Sequence, residues 1–206
     1  MTTTATKSRL NGALNVGLSR AKIETIEVPI VGTSQLVSHA WSPKAKKMIL
    51  DKQLKKTRGT AREAKNPEQD FVDSLYKISD DDYGFPAVAF KAALVSACRF
   101  VDDLKMTQVR GLVFVVPDEG ELVRINGTPT PREDMVRVGM GTADIRYRGE
   151  YINWSATLKV RYMPDNLSLE QLIHLIELAG QCIGVGEWRP EKGGVWGMFR
   201  VSSENR

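Results

Sequence analysis

The chain has few residues of the kinds that build metal sites, disulfides or membrane spans. Its 206 residues include two cysteines and two histidines. Cys98 and Cys182 do not stand at CxxC spacing, which argues against a cysteine zinc site and against a disulfide framework. No apolar run approaches the roughly 20 residues that span a bilayer. Residues 1–20 lack the apolar segment of a secretory signal. We therefore expect a cytoplasmic protein without a cofactor.

Motifs of known catalytic types are also missing. The sequence contains no P-loop, no complete dinucleotide fingerprint and no HExxH metal motif. His39 is a candidate general base, but the spacing places no carboxylate or nucleophile beside it. We predict a protein that is not an enzyme, and we keep a metal-independent ribonuclease that uses His39 as the alternative.

Positive charge is concentrated in one segment. The net charge is +4. Residues 44–65 hold nine basic residues and two acids, a net +7, which leaves −3 for the rest of the chain. Such a block indicates a polyanionic partner, or else a solvated helix face. The nine are Lys44, Lys46, Lys47, Lys52, Lys55, Lys56, Arg58, Arg62 and Lys65.

The hydrophobic pattern predicts an α+β protein. In chain order, the elements are a strand at 23–32, a basic helix at 41–56, a helix from Pro86 to Leu104, a strand at 109–116, a hairpin of 143–148 with 151–162, a helix capped by Ser168 and Gln171, and a strand at 195–201. Without the basic insertion this is the ferredoxin-like order β-α-β-β-α-β, with both helices on one face of an antiparallel sheet. We predict an N-terminal tail at 1–22 and one RRM/ferredoxin-like domain at 23–206, with the insertion at about 41–82. Residues 128–142 are predicted to be irregular.

Two features of this predicted sheet depend on which strands pair with each other. Pro29 lies in the first strand, which this topology makes central, although proline favours an edge or a strand end. The predicted hairpin about Gly149 places four cations on the sheet face opposite the helices: Arg146, Arg148, Lys159 and Arg161.

A glycine-rich loop at 184–194 combines backbone freedom with cations and tryptophan. Glycines let backbone N–H groups approach a ligand, Arg and Lys match phosphate oxygens, and an indole can stack on a base. A tight turn with tryptophans in the core is the alternative, and Trp196 is expected in the core. The candidate binding residues here are Gly184, Gly186, Trp188, Arg189, Lys192, Gly193 and Gly194.

Three segments resemble the RAMP superfamily, the repeat-associated proteins of CRISPR systems. They are Gly32-Thr-Ser-Gln-Leu-Val-Ser-His39, Phe85-Pro-Ala-Val-Ala-Phe-Lys-Ala-Ala-Leu94, and Gly184-Val-Gly-Glu-Trp-Arg-Pro190 with Gly193-Gly194 and Gly197-Met-Phe199. They are similar to that family's opening strand, first-helix entry and C-terminal glycine-rich loop. The resemblance implies a ferredoxin-like core that binds single-stranded nucleic acid and self-associates along it. It also implies that the insertion grips the strand or a neighbouring copy. Similar short proteins are common in phages and prophages.

We therefore expect a single-stranded nucleic-acid-binding protein that forms an oligomer or filament along the strand. We favour DNA over RNA and a role in phage replication or recombination. Alternatives are a RAMP-type RNA-binding subunit, the His39 ribonuclease, and a structural or assembly protein. No membrane partner is expected.

Overall fold

The computed structural model of the chain describes residues 20–54, 65–102, 104–138 and 141–203. Five α-helices lie within these ranges: α1 (Pro43–Gln53), α2 (Pro67–Asp73), α3 (Ala87–Ala97), α4 (Met106–Leu112) and α5 (Leu169–Leu178). The nine strands there are β1 (Glu24–Gly32), β2 (Leu36–Ser38), β3 (Tyr83–Pro86), β4 (Val113–Val116), β5 (Leu122–Ile125), β6 (Thr130–Val138), β7 (Thr142–Tyr151), β8 (Ser155–Tyr162) and β9 (Phe199–Val201). No helix in these ranges is long and apolar enough to cross a bilayer.

The main sheet has the strand order β4-β8-β1-β9, and all its pairings are antiparallel. With α3 before β4 and α5 before β9, the chain follows the ferredoxin-like order β-α-β-β-α-β. The α+β class predicted from the sequence is confirmed. The remaining strands lie between these core elements in the sequence. They form a three-stranded sheet of order β2-β7-β6 and the two-stranded pair β3-β5.

Two helices cover one face of the main sheet. The strands alternate, so that Leu158 and Val160 of β8 are buried while Thr157 and Arg161 are exposed on the opposite face. Helix α3 contributes Phe90 and Leu94 to the core, and α5 contributes Leu172 and Ile176. Cys98 is buried as well, as expected for a free cysteine.

Pro29 lies inside the central strand β1 at a position where its missing N–H breaks no ladder bond. Its carbonyl accepts the Ser202 N–H at 2.8 Å, just past the end of β9. The ring nitrogen points to that same side, because the N and C=O of one strand residue share a side. Towards β8, Pro29 faces Thr157 as a non-hydrogen-bonded pair. The topology therefore tolerates this proline.

Three of our local predictions are wrong. Residues 109–116 are not one strand, because α4 runs to Leu112 and only β4 continues as a strand. Residues 130–138, within the segment predicted to be irregular, form β6, which pairs with β7 along its length. The long helix that we expected to reach Leu104 ends at Ala97 and is followed by a 3-10 turn at Cys98–Phe100.

The hairpin predicted about Gly149 does not form either. Strand β7 pairs with β6 and β2, whereas β8 pairs with β1 and β4. Arg146 and Arg148 therefore lie in a different sheet from Lys159 and Arg161. The continuous four-cation face expected from the sequence is absent from the part of the chain that the structure describes.

Candidate nucleic-acid interface

Strand β2 connects the glycine-rich loop to the basic helix. The Glu187 N–H donates to the Val37 carbonyl at 3.1 Å, and the Gly197 N–H donates to the Gln35 carbonyl at 2.7 Å. A Cβ on Gly186 would meet the Val37 carbonyl at 2.7 Å, so only glycine allows this approach. The loop therefore lies along β2, and α1 begins five residues after β2 ends.

A side-chain contact brings the start of the basic helix to the loop. His39 Nδ1 lies 3.6 Å from Glu187 Oε1. The contact with His39 and the charges of Arg148 and Arg189 hold the pKa of Glu187 below its ordinary value, although burial opposes them. Trp41 follows His39 by two residues, which span at most about 7 Å of chain. Trp41 thus lies close to the loop along the chain, and the basic helix begins two residues after it.

Two tryptophans near this junction expose more than half of their surface. Trp41 is 59 % exposed and Trp188 is 57 % exposed. Trp188 has φ 52°, a conformation that non-glycine residues rarely adopt. Its carbonyl accepts the Trp196 N–H at 3.2 Å, and a Cβ on Gly194 would overlap that carbonyl. The Trp188 indole is therefore presented to solvent by a closed, tightly packed backbone.

Helix α1 presents cations without contributing to the core. The Ser42 hydroxyl accepts the Ala45 N–H at 3.1 Å, and Pro43 occupies the first turn, as the sequence predicts. None of the helix residues is buried. Lys46, Lys47 and Lys52 are exposed, and the Lys46 ammonium lies 5.8 Å from the Trp41 ring centroid. This helix is the most basic element that the structure describes.

The other predicted cations of the segment are less available or not described. The Lys65 ammonium donates to the Asp144 carboxylate and to the Ile145 carbonyl, each at 2.5 Å. Lys44 is half-buried. The remaining four lie outside the described residues: Lys55, Lys56, Arg58 and Arg62.

Most of the cations predicted on the hairpin are held by carboxylates. Arg148 is 8 % exposed, and its guanidinium lies 3.4 Å from Asp134 and 3.6 Å from Glu187. Arg146 pairs with Asp144 at 2.9 Å. Lys159 pairs with Asp118 at 3.0 Å. Arg161 is exposed, with its guanidinium carbon 5.8 Å from the Phe114 ring centroid.

Within the loop, the glycines adopt the predicted turn conformations. Arg189, predicted to bind phosphate, is instead paired with a carboxylate. Gly184, Gly186 and Gly193 all have positive φ, which favours glycine at these turns. Arg189 donates to the Glu191 carboxylate at 2.8 and 3.2 Å, whereas Lys192 is exposed. Trp196 is half-buried rather than part of the core, because the final strand begins only at Phe199. The Arg132 guanidinium lies 4.1 Å from its ring centroid.

Sequence reasoning missed three participants in this surface. The sequence predicts Trp41 only as the first residue of the basic helix, although an aromatic residue beside a lysine cluster is itself a nucleic-acid signal. Glu187 and Glu191 were overlooked because acids in a loop of basic candidates carry no positive signal. Only the fold shows that they pair with His39, Arg148 and Arg189.

Within the described ranges, no three His, Cys, Asp or Glu residues lie close enough together to hold a metal ion.

Comparisons with known proteins find matches among solved structures. No protein family matches the chain, and neither does any curated protein. Among solved structures, the chain is similar to Cmr6 from Pyrococcus furiosus at 12 % sequence identity, over 89 % of this chain and 100 % of that chain, with a TM-score of 0.43. At this identity and score, the likeness carries no argument about the family or the function of the chain.

Proposed function

We propose that the chain is a non-enzymatic protein that binds single-stranded nucleic acid across the surface formed by α1, Trp41 and the glycine-rich loop. The observation that carries the proposal is the exposed Trp188 indole, fixed at positive φ next to Glu187, whose carboxylate contacts His39 four residues before the most basic helix. An exposed indole on a tightly packed backbone offers a stacking plane to any base. A tryptophan that served the core would be buried.

The chemistry of this surface favours binding without sequence preference. Lysine ammonium groups on α1 contact phosphates, and each contact releases counterions, so that affinity falls as salt rises. Tryptophan stacking adds roughly 1–3 kcal/mol per base for any base. We further propose that the protein prefers DNA to RNA and that several copies bind along one strand. We propose phage replication or recombination as the process in which it acts.

A salt titration tests the cationic part. Fluorescence anisotropy of a labelled oligonucleotide of about 20 nucleotides, as DNA and as RNA, should show affinity falling steeply between about 50 mM and 200 mM salt. Lys46→Ala with Lys47→Ala should weaken binding and reduce the salt slope by about 0.7 per lost phosphate contact. The matched control is Lys105→Ala with Arg110→Ala, which removes two exposed cations beside the far edge strand β4. Equal losses in both double variants would contradict the proposed surface.

A second titration tests stacking separately. Trp188→Ala should weaken binding by roughly 5- to 150-fold, the range that corresponds to one stacked base. Trp188→Phe retains an aromatic face and should lose much less. If the two variants lose the same affinity, stacking on Trp188 is not part of the interaction.

As a second candidate we propose metal-independent RNA cleavage with His39 as general base. The observation that favours it is the Glu187 carboxylate 3.6 Å from His39 Nδ1, because such a partner orients an imidazole and leaves Nε2 to accept a proton. Labelled RNA incubated with chelator should be cut by the unmodified protein and not by His39→Ala. His174→Ala, which removes an exposed imidazole from α5, is the control. RNA that stays intact dismisses this candidate.

A further inference from the structure

One carboxylate in the glycine-rich loop collects donors from three other residues. Glu191 Oε1 accepts the Ser96 hydroxyl at 3.1 Å and an Arg99 N–H at 3.0 Å. Glu191 Oε2 accepts two N–H groups of Arg189, at 2.8 and 3.2 Å. Two guanidinium groups and a hydroxyl around a single anion form the kind of donor set that binds a phosphate group.

Both guanidinium groups are also held in place by bonds that do not involve Glu191. Arg189 Nη1 donates to the Gly186 carbonyl at 3.2 Å, and Arg99 Nε donates to the Ser96 carbonyl at 3.1 Å. The donors therefore keep their positions when the carboxylate leaves. A set of donors fixed in advance binds an incoming anion without the cost of ordering flexible side chains.

The surroundings leave room for a ligand larger than an ion. A cavity of about 290 Å³ lies beside the carboxylate, and its walls include Arg189, Glu191, Ala92 and Gly186. Arg99 and Glu191 remain partly exposed, so a strand can reach them from solvent. Trp188, the proposed stacking residue, precedes Arg189 in the chain.

We infer that Ser96, Arg99 and Arg189 form a phosphate subsite that the Glu191 carboxylate occupies in the free protein. A phosphodiester presents two non-bridging oxygens with one negative charge, as a carboxylate does, and displaces Glu191 from the arginines. Glu191 thereby lowers the affinity for nucleic acid and acts as an internal competitor. This inference rests on the proposed function for its ligand, a backbone phosphate of a single strand.

The isosteric change Glu191→Gln separates competition from anchoring. Glutamine keeps an oxygen that accepts from Ser96 and Arg189, but it removes the negative charge. If Glu191 competes with phosphate, Glu191→Gln binds pyrophosphate and the labelled oligonucleotide about tenfold more tightly than the unmodified protein does. If Glu191 only anchors the loop, both affinities fall or stay the same, and the inference is overturned.

Two variants serve as controls. Glu170→Gln removes the same charge from an exposed position on α5, and an equal gain there would also overturn the inference. Adding Arg189→Gln to Glu191→Gln should abolish the gain. Calorimetric titration with pyrophosphate needs no nucleic acid. Pyrophosphate binding by Glu191→Gln, with no oligonucleotide bound by either protein, would reject the proposed function and leave the subsite standing.

A measurement on the unmodified protein covers the case in which Glu191→Gln does not fold. Excess pyrophosphate should shift the arginine Nε–H resonances of Arg99 and Arg189 in nitrogen-15 NMR spectra, because their anionic partner changes. The resonance of Arg124, whose partner is Asp82, should not move. Unmoved resonances of Arg99 and Arg189 would reject the subsite.

Discussion

Single glycines determine how closely the elements of this chain approach one another. Gly180 follows α5, and a Cβ there would overlap the Phe199 carbonyl on the final strand. Gly111 in α4 has nothing within 4 Å of its Cβ position. The two positions therefore differ in packing, although both lie in helical backbone.

We expect Gly180→Ala to lower the free energy of unfolding by roughly 1–3 kcal/mol, because the added methyl group overpacks the contact with β9. Gly111→Ala should raise it by about 0.5–1 kcal/mol, since alanine loses less entropy in a helix. Urea denaturation of both variants checks this pair. Similar values for the two would show that the turn at Gly180 does not pack against β9 as described.

Stability at acid pH provides a test of the Glu191 cluster. Burial alone would raise the pKa of Glu191, but the Arg189 and Ser96 hydrogen bonds and the arginine charges outweigh it, so that the pKa lies below its ordinary value of 4.5. A lowered folded-state pKa stabilises the fold above about pH 4.5, and this stabilisation is lost as pH falls through the folded pKa.

The difference in unfolding free energy between the unmodified protein and Glu191→Gln should therefore shrink from about pH 7 to about pH 3. Urea denaturation of both proteins at a series of pH values measures it. A difference that is constant with pH would mean that Glu191 is not held by its arginine partners.

At the level of elements, patterns confined to one segment were predictable and pairings between segments were not. The Ser168–Gln171 capping box and the Ser42-Pro43 helix start are local, and both are present. Strand β6 was missed because its burial is partial and its cross-strand contacts are ionic, such as Arg132 with Glu150. Such a strand shows no alternation of apolar residues.

In the candidate site, too, local features were predictable and contacts between distant segments were not. The positive φ angles of the loop glycines follow from residue type, whereas the sequence left open whether Trp188 faces solvent or the core. The pairing of Arg148 and Arg189 with carboxylates depends on which strands become neighbours. The error over the β7–β8 hairpin shows the limit: both strands alternate cations with apolar residues, so periodicity alone does not reveal that they join different sheets.

Disruption of helix α1 should leave the stability of the core nearly unchanged. Ile49→Pro removes a backbone hydrogen bond and clashes with the preceding turn, which costs about 3 kcal/mol within the helix. No α1 residue is buried, so the unfolding temperature should change by no more than about 2 °C. Oligonucleotide affinity should fall, because the lysines lose their common helical arrangement.

Circular dichroism and anisotropy measure the two effects on the same sample. Ala93→Pro in the buried part of α3 is the contrasting variant and should unfold the protein. A large loss of thermal stability in Ile49→Pro would mean that α1 packs against the core.

For the whole molecule, the distribution of charge matters more than its net value of +4. Away from α1, many described cations are paired with carboxylates, including Arg124, Arg132, Arg148 and Arg189. In the proposed function, the side of α1 and the glycine-rich loop attracts the polyanion. If that side covers a short stretch of strand, a long strand has room for several copies.

We predict that the number of chains per oligonucleotide rises with strand length, from one on about 10 nucleotides to several on about 40, with site sizes typical of small binding domains. Met48, Ile49 and Leu50 on α1 and Leu54 just after it are exposed, and apolar contact between neighbouring copies would make binding cooperative. Light scattering coupled to size exclusion resolves this, because each chain adds 22.9 kDa. A Leu50→Ser, Leu54→Ser variant should keep single-site affinity on the short strand and lose cooperativity on the long one. One chain per strand at every length, under saturating protein, would contradict the assembly along the strand and leave single-site binding intact.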